Sequence, residues 1–568
     1  MGPGRLDFVE WLFGMRAVRL ALGAAALVAL SIALGGCGGS VDSAAADGAA
    51  PQHGGELVIG MDQEPQCLNS NIQCGSMAAT SMVMSSIFDG LLTIDKDGNF
   101  APRIALEVPT RENGLVVETP SGGMDVTQHI DPKAAWSDDR PITCEDVAFT
   151  WATTMDDRWS IVSRKGWELV SDVECPDRLT VIWHFKERYA PYLGLVSAAP
   201  LPKHILDGKD FNTYFNDNIP ISSGPYAFDR WDRSIAVVLK RNDHYWNAGA
   251  DKEPYLDHVR YVFVADTNTL KIQLRTGEVD VVNPPPDSTL ADELKTFPRS
   301  SFQSEPGVYW EQIAFNTGKA PTSDVNVRRA IAYSIDRDQI ADVVLKGQVD
   351  VLNSTLLPAK KEFYIPAWQD VKPDAAKVKG FLEKAGYQKQ GTYFTKDGAP
   401  LTIVFKSTAG NNLRLKVAQL LQQRLKSSGI KMEIRLEPPN VFFGQSTIQG
   451  SYDMALWAWS SGVDPSQTSL FSCDSIPSKA NDYSGQNNYR YCNEHVSELM
   501  KQSDVTTGLA ERAELEHQIQ TEMAADMPLL PLFQRPDTIA YSKRVQGIDN
   551  NPLGGFVWNV NKWAVAQQ

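Results

Sequence analysis
Seven cysteines and eight histidines are the side chains of this 568-residue chain best suited to covalent or metal chemistry, and their spacing narrows what they can do. No C-x-x-C pair occurs and no two histidines stand four residues apart, so a zinc-type ligand set has no framework. The body also lacks a G-x-S-x-G elbow, an H-E-x-x-H pair and a Walker loop. The chain therefore reads as a protein with no enzymatic centre, metal site or cofactor. Binding chemistry is better represented. In residues 452–459 (YDMALWAW) strand alternation puts Asp453, Ala455, Trp457 and Trp459 on one face. Two indole rings on one strand face wall a cleft or fill a core about equally well. Beyond them, Ser460 leads through Gly462 to Asp464 and Pro465. Asp464 is the nearest carboxylate for an amine ligand, but Asp before Pro is also a helix-cap signal.

The cysteines acquire meaning from the start of the chain. Arg16 and Arg19 precede an apolar run, residues 21–34, followed by Gly35, Gly36 and Cys37. Fourteen residues span about 21 Å as a helix, short of the roughly 30 Å of a bilayer core. Residues 1–36 thus read as a signal peptide, with Met15 a cleaner start than Met1 because Asp7 and Glu10 spoil the basic segment. The small residues before Cys37 resemble a bacterial lipobox, which implies cleavage before Cys37 and its lipidation. Residues 38–55 are mostly Gly, Ala, Ser and Asp, a flexible tether between lipid and body. In an exported protein the six remaining cysteines suit disulfides, and sequence proximity favours Cys67–Cys74, Cys144–Cys175 and Cys473–Cys492.

The elements that would carry these residues alternate in type. ELVIG at residue 56 reads as a strand, residues 76–87 as a helix and 95–98 (DKDG) as a hairpin turn. Thr143 and Asp146 form a helix-start signal. Residues 267–276 read as a helix closed by Gly277. Val327, Ala330, Ile331, Ser334 and Ile335 make an amphipathic stripe. Strand 401–406, helix 413–427 and strand 431–436 form a βαβ-like unit, followed by the strand at 452–459. Such alternation predicts an α/β fold.

FDGLL at Phe88, WSDDRPITCEDVAFTW at Trp136, SGPYAF at Ser223 and RNDHYW at Arg241 occur in order along the chain. LRTGEVDVV at Leu274, AFNT with VRRAIAYSIDRDQI from Ala314, FLEKAGY at Phe381 and PLLPLF at Pro528 follow. Together they resemble the bacterial extracellular solute-binding proteins of the peptide/nickel type, over residues 56 to about 565. The resemblance implies a two-lobed periplasmic-binding-protein-like clamp with an extra inserted domain, three domains in all. Domain I would take residues 56–95, 215–310 and 527–568, domain II 96–214, and domain III 311–526. Residues 310–316 and 527–532 would connect the lobes. By family position the cleft residues would be Cys67, Leu68, Asn69, Phe315, Asn316, Trp457, Trp459, Ser460 and Asp464. Relatives that bind peptides carry an aspartate three residues after the tryptophan of that turn; Gly462 stands there in this chain.

The function this implies is capture of short peptides for the permease and ATPase subunits of an ABC importer, by a monomer anchored to the extracytoplasmic face of the cell membrane. The altered turn at Gly462 keeps open an envelope lipoprotein acting in regulation or protein contact, or a receptor for haem or a nickel chelate. Nucleic acid is excluded as a partner: 54 Lys and Arg against 69 Asp and Glu leave a net charge of -15.

Overall fold
The computed structural model describes residues 51–285 and 289–566. The expected signal segment, Cys37 and the tether as far as residue 50 lie outside the described residues. The last tether residues pack onto the body: Gly54 N donates to Tyr255 O at 2.8 Å and Gly55 N to Asp257 Oδ2 at 3.0 Å.

A ten-stranded mixed sheet is the frame. Its strands are β1 (Glu56–Met61), β2 (Tyr226–Asp232), β3 (Ala236–Arg241), β4 (His258–Phe263), β5 (Val281–Val282) and β6 (Ser300–Phe315). The remainder are β7 (Thr402–Thr408), β8 (Lys431–Glu437), β9 (Met454–Ser460) and β10 (Leu529–Ser542). They lie in the order β8-β7-β9-β6-β10-β5-β1-β4-β3-β2. β1 runs parallel to β4 and β5, and β7 parallel to β8 and β9, whereas β6 pairs antiparallel with both β9 and β10. A separate four-stranded antiparallel sheet is built from residues 116–118, 124–129, 180–185 and 170–174.

Local signals place the helices. Helix α1 (Cys144–Met155) starts with a capping box in which Thr143 N donates to Asp146 Oδ2 at 3.0 Å. Helix α2 (Thr267–Thr276) is capped by Asp266 and stops at Gly277. Helices α3 (Val325–Ala332) and α4 (Ala375–Lys384) pack together, and α5 (Asn412–Ser427) makes the β7–α5–β8 crossover. Helices α6 (Glu494–Val505) and α7 (Leu509–Asp526) pair before the chain returns through β10. The helix expected over 76–87 is shorter, Ala78–Met84. Among the described residues no helix is long and apolar enough to cross a membrane.

Hydrophobic burial divides the body. One core joins β1, β4 and the four-stranded sheet around Trp136, Trp183 and Tyr261. A second gathers α3, α5 and β9 around Trp310, Trp368 and Trp457. Each fully buried Leu, Ile or Val adds about 1.5–3 kcal/mol to the core it fills. The disulfides are Cys67–Cys74 and Cys144–Cys175 in the first lobe and Cys473–Cys492 in the second. This is the mixed α/β, two-lobed architecture that the motifs implied.

Candidate functional site: the seam between the lobes
Two strands cross from one core to the other. In β6 and β10, residues 300–306 pair with 536–542, and residues 310–314 with 529–534. The ladder breaks between Pro306 and Trp310, where proline withholds a donor and Gly307 lets the backbones close up. A Cβ on Gly307 would stand 2.5 Å from Arg535 O. The break lies just before 310–316 and just after 527–532, the segments expected to join the lobes.

Away from these strands the lobes touch along a polar seam. Gly485 N donates to Val162 O at 3.1 Å, Ser484 Oγ to Ile161 O at 2.6 Å, and Ser160 Oγ to Asp482 O at 2.9 Å. Gln73 Nε2 reaches Gly485 O at 3.1 Å, and Lys165 Nζ lies 2.6 Å from Asp474. Ala190 N donates to Asp504 O at 2.7 Å. Gly485 sits at φ 111°, with Ser475 O 2.2 Å from where a Cβ would stand, so only glycine fits there. Gln73 and Asp474 each neighbour a disulfide cysteine, which ties both sides of this contact to their lobes. A cavity of about 630 Å³ lies in the first lobe beside Trp159 and Phe211.

The expected cleft residues divide by depth. Residues 454–457 of β9 are buried in succession, so both of its faces are covered there and alternation does not select a cleft face. Trp457 is sealed in the second core against Phe442, Tyr452 and Tyr489. Trp459 is half-buried, and its Nε1 donates to Tyr489 Oη at 2.8 Å. Ser460 is exposed and pairs with Tyr309 at the ladder break. Phe315 and Asn316 are buried; Asn316 Nδ2 donates to Gly450 O at 2.7 Å and Tyr452 O at 3.1 Å. In the first lobe, Cys67, Leu68 and Asn69 are buried, Leu68 N bonding Asn216 O and Asn69 Nδ2 bonding Phe211 O. Asp464 is occupied: Arg512 donates to both its oxygens, at 2.6 and 2.8 Å. It does not cap a helix, because the next one begins only at Thr468. The structure thus leaves Trp459 and Ser460 beside the ladder break, buries Trp457, Phe315 and Asn316, and ties Asp464 to a helix.

A charged quartet between the lobes has no local signal in the sequence. On β6, Glu311 is buried and accepts from Arg414 of α5 at 3.0 and 3.3 Å. Arg414 also reaches Thr408 Oγ1 at 3.0 Å. Arg535 of β10 approaches Glu311 to 3.8 Å and lies 5.7 Å from the Tyr309 ring. Asp62, on the loop leaving β1, faces both arginines and Glu311. Burial pushes its carboxyl above the ordinary range, outweighing the pull of Arg535 and Arg414. With both carboxyls ionised, two carboxylates and two guanidiniums balance, and the quartet then leaves no net charge for a ligand to meet.

Residues 100–480 match the model of the bacterial extracellular solute-binding proteins, family 5 middle region. The chain is 25% identical over 560 residues to the oligopeptide-binding protein AppA of Bacillus subtilis, covering 95% of this chain and 98% of that protein. It is 27% identical over 517 residues to the oligopeptide-binding protein OppA of Mycobacterium tuberculosis (strain H37Rv), covering 87% and 82%. The structure of AppA in complex with a nonapeptide aligns with a TM-score of 0.81 at 24% identity, over 91% of this chain and 100% of that one. With residues 100–480 matched, the chain belongs to the family 5 bacterial extracellular solute-binding proteins, which bind solutes and are not enzymes.

Proposed function
We propose that this protein is the extracytoplasmic substrate-binding lipoprotein of an ABC importer, capturing short peptides between its lobes and delivering them to a membrane permease. The lobes divide as domain I (56–95, 215–310, 527–568) with domain II (96–214), against domain III (311–526). Cys37 carries the lipid, and the protein works as a monomer. The observation that carries the reading is the seam: two strands whose pairing breaks between the cores, facing lobe surfaces held by a few polar contacts. Such a joint shuts on a ligand by a hinge motion that shifts an existing equilibrium. The oligopeptide-binding names of full-length relatives supply the ligand class.

The site favours recognition through the peptide main chain. β7 pairs with β9 only at Met454 and Ala455, so the end of β9 keeps one open edge as far as Ser460, beside the half-buried Trp459 ring, the arrangement by which an extended peptide is held through its backbone. Neither Asp464, paired with Arg512, nor the balanced quartet offers a free charge. Native mass spectrometry of the purified, delipidated protein tests the reading: co-purified peptides of mixed sequence are expected. Haem or a metal chelate as the sole ligand overturns it. A peptide present at 100 times its Kd should add about 2.7 kcal/mol of stability.

A further inference from the structure
Below the turn that follows β9, three consecutive backbone carbonyls converge on one side chain. Lys360 Nζ lies 2.6 Å from Gly462 O, 2.5 Å from Val463 O and 3.2 Å from Asp464 O. Carbonyl dipoles aimed at one point repel one another unless a cation with several donors sits there, and an ammonium has three. The same turn is tied to the crossing strand at its break, through Ser461 N to Val308 O at 2.9 Å. Arg512 fixes its far end through Asp464.

We propose that Lys360 is a positioning residue for ligand capture: its ammonium gathers the carbonyls of residues 462–464 and so sets Ser460 and Ser461 at the seam. This rests on the reading that peptide is held there. The charged groups facing Lys360 are Asp464, Arg512 and Glu516, and Asp504 and Tyr189 face Asp464 and Arg512 from behind and from the first lobe. Burial lowers the Lys360 ammonium to about 8, more than Asp464 can offset. A neutral amine has two donors and no charge, so the turn loosens above that pH. The folded state also gives up this proton more readily than the unfolded chain, so Lys360 adds no stability that is lost between pH 8 and pH 10. Loss of affinity there cannot come from unfolding caused by Lys360.

Hydrogen exchange of amides 460–464 and 466 in the ligand-free full chain reads the turn directly, and competition within a degenerate pentapeptide pool, followed by native mass spectrometry, reads capture. After correction for intrinsic exchange, wild type should lose about tenfold in turn protection and in pool affinity from pH 7 to pH 9, as the competent fraction falls. K360R should hold both across this range, and K360M should be weak in both at pH 7. A flat wild-type profile, or an equal decline in K360R, overturns the proposal even if K360M fails to fold. Unchanged pool binding in K360M overturns positioning alone. Absence of pool binding at every pH overturns the peptide reading, and positioning with it.

Discussion

Replacing Arg414 by Met probes the buried joint of the second lobe. Glu311 is 1% exposed and Arg414 3%, and two hydrogen bonds at 3.0 and 3.3 Å join them. Without Arg414, Glu311 keeps only Arg535 at 3.8 Å, and Asp62 competes for that same guanidinium. An uncompensated buried charge costs about 3–5 kcal/mol, and at 1% exposure Glu311 gains little from solvent. R414M should therefore lower the unfolding free energy of the second lobe by about 4 kcal/mol at pH 7.5. The loss should shrink at pH 5, where the orphaned carboxyl can take a proton. E311L/R414M, which removes both charges, should lie within about 1.5 kcal/mol of wild type. Urea unfolding followed by tryptophan fluorescence measures R414M, E311L and E311L/R414M, and the cycle isolates the pair. A coupling below about 1 kcal/mol would show that the pair is solvated, and the argument for a dry joint between the crossing strand and α5 would fail.

Other consequences lie nearby. Burial lifts Glu516 to about 7 and Asp504 to about 6, so the stability they contribute is complete below about pH 4 and is lost as pH rises through 6 and 7. Glu516 alone should account for a decline of about 3 kcal/mol between pH 4 and pH 8, flattened in E516Q; identical wild-type and E516Q profiles contradict this. C473A/C492A opens a loop with a sequence separation of 19 and should cost about 3 kcal/mol in thermal unfolding. It should also speed peptide release, because Asp474 then holds Lys165 less firmly; unchanged dissociation rates count against that link. G307V puts a side chain against Arg535 O and should cost more than about 1 kcal/mol, whereas a neutral result means that the crossing strands are not in close approach there.

Local signals were legible in the sequence and distant ones were not. The capping box at Thr143 and the stop at Gly277 depend on neighbours within four residues, and both are present; of the apolar stripe, Val327, Ala330 and Ile331 lie on α3, while Ser334 and Ile335 are buried just past its end. The disulfides follow short sequence separations. β6 is readable only from residue 312, because its first half (SSFQSEPGVY) is polar and holds Pro306 and Gly307. Strand alternation left cleft and core equally open for Trp457, and the burial of both faces over residues 454–457 places its ring in the core. Helix α7 shows no apolar stripe because its buried face carries Arg512, Glu516 and Gln520. Asp62, Glu311, Arg414 and Arg535 come from four separate elements, and only the fold brings them together.

Small-angle X-ray scattering of the ligand-stripped protein, titrated with the pentapeptide pool, tests most directly whether two lobes shut on a peptide. A smaller radius of gyration at saturation, reversed on dialysis, is the expected result. Superimposable profiles while calorimetry records binding would mean that the seam does not move, and the clamp account would be wrong.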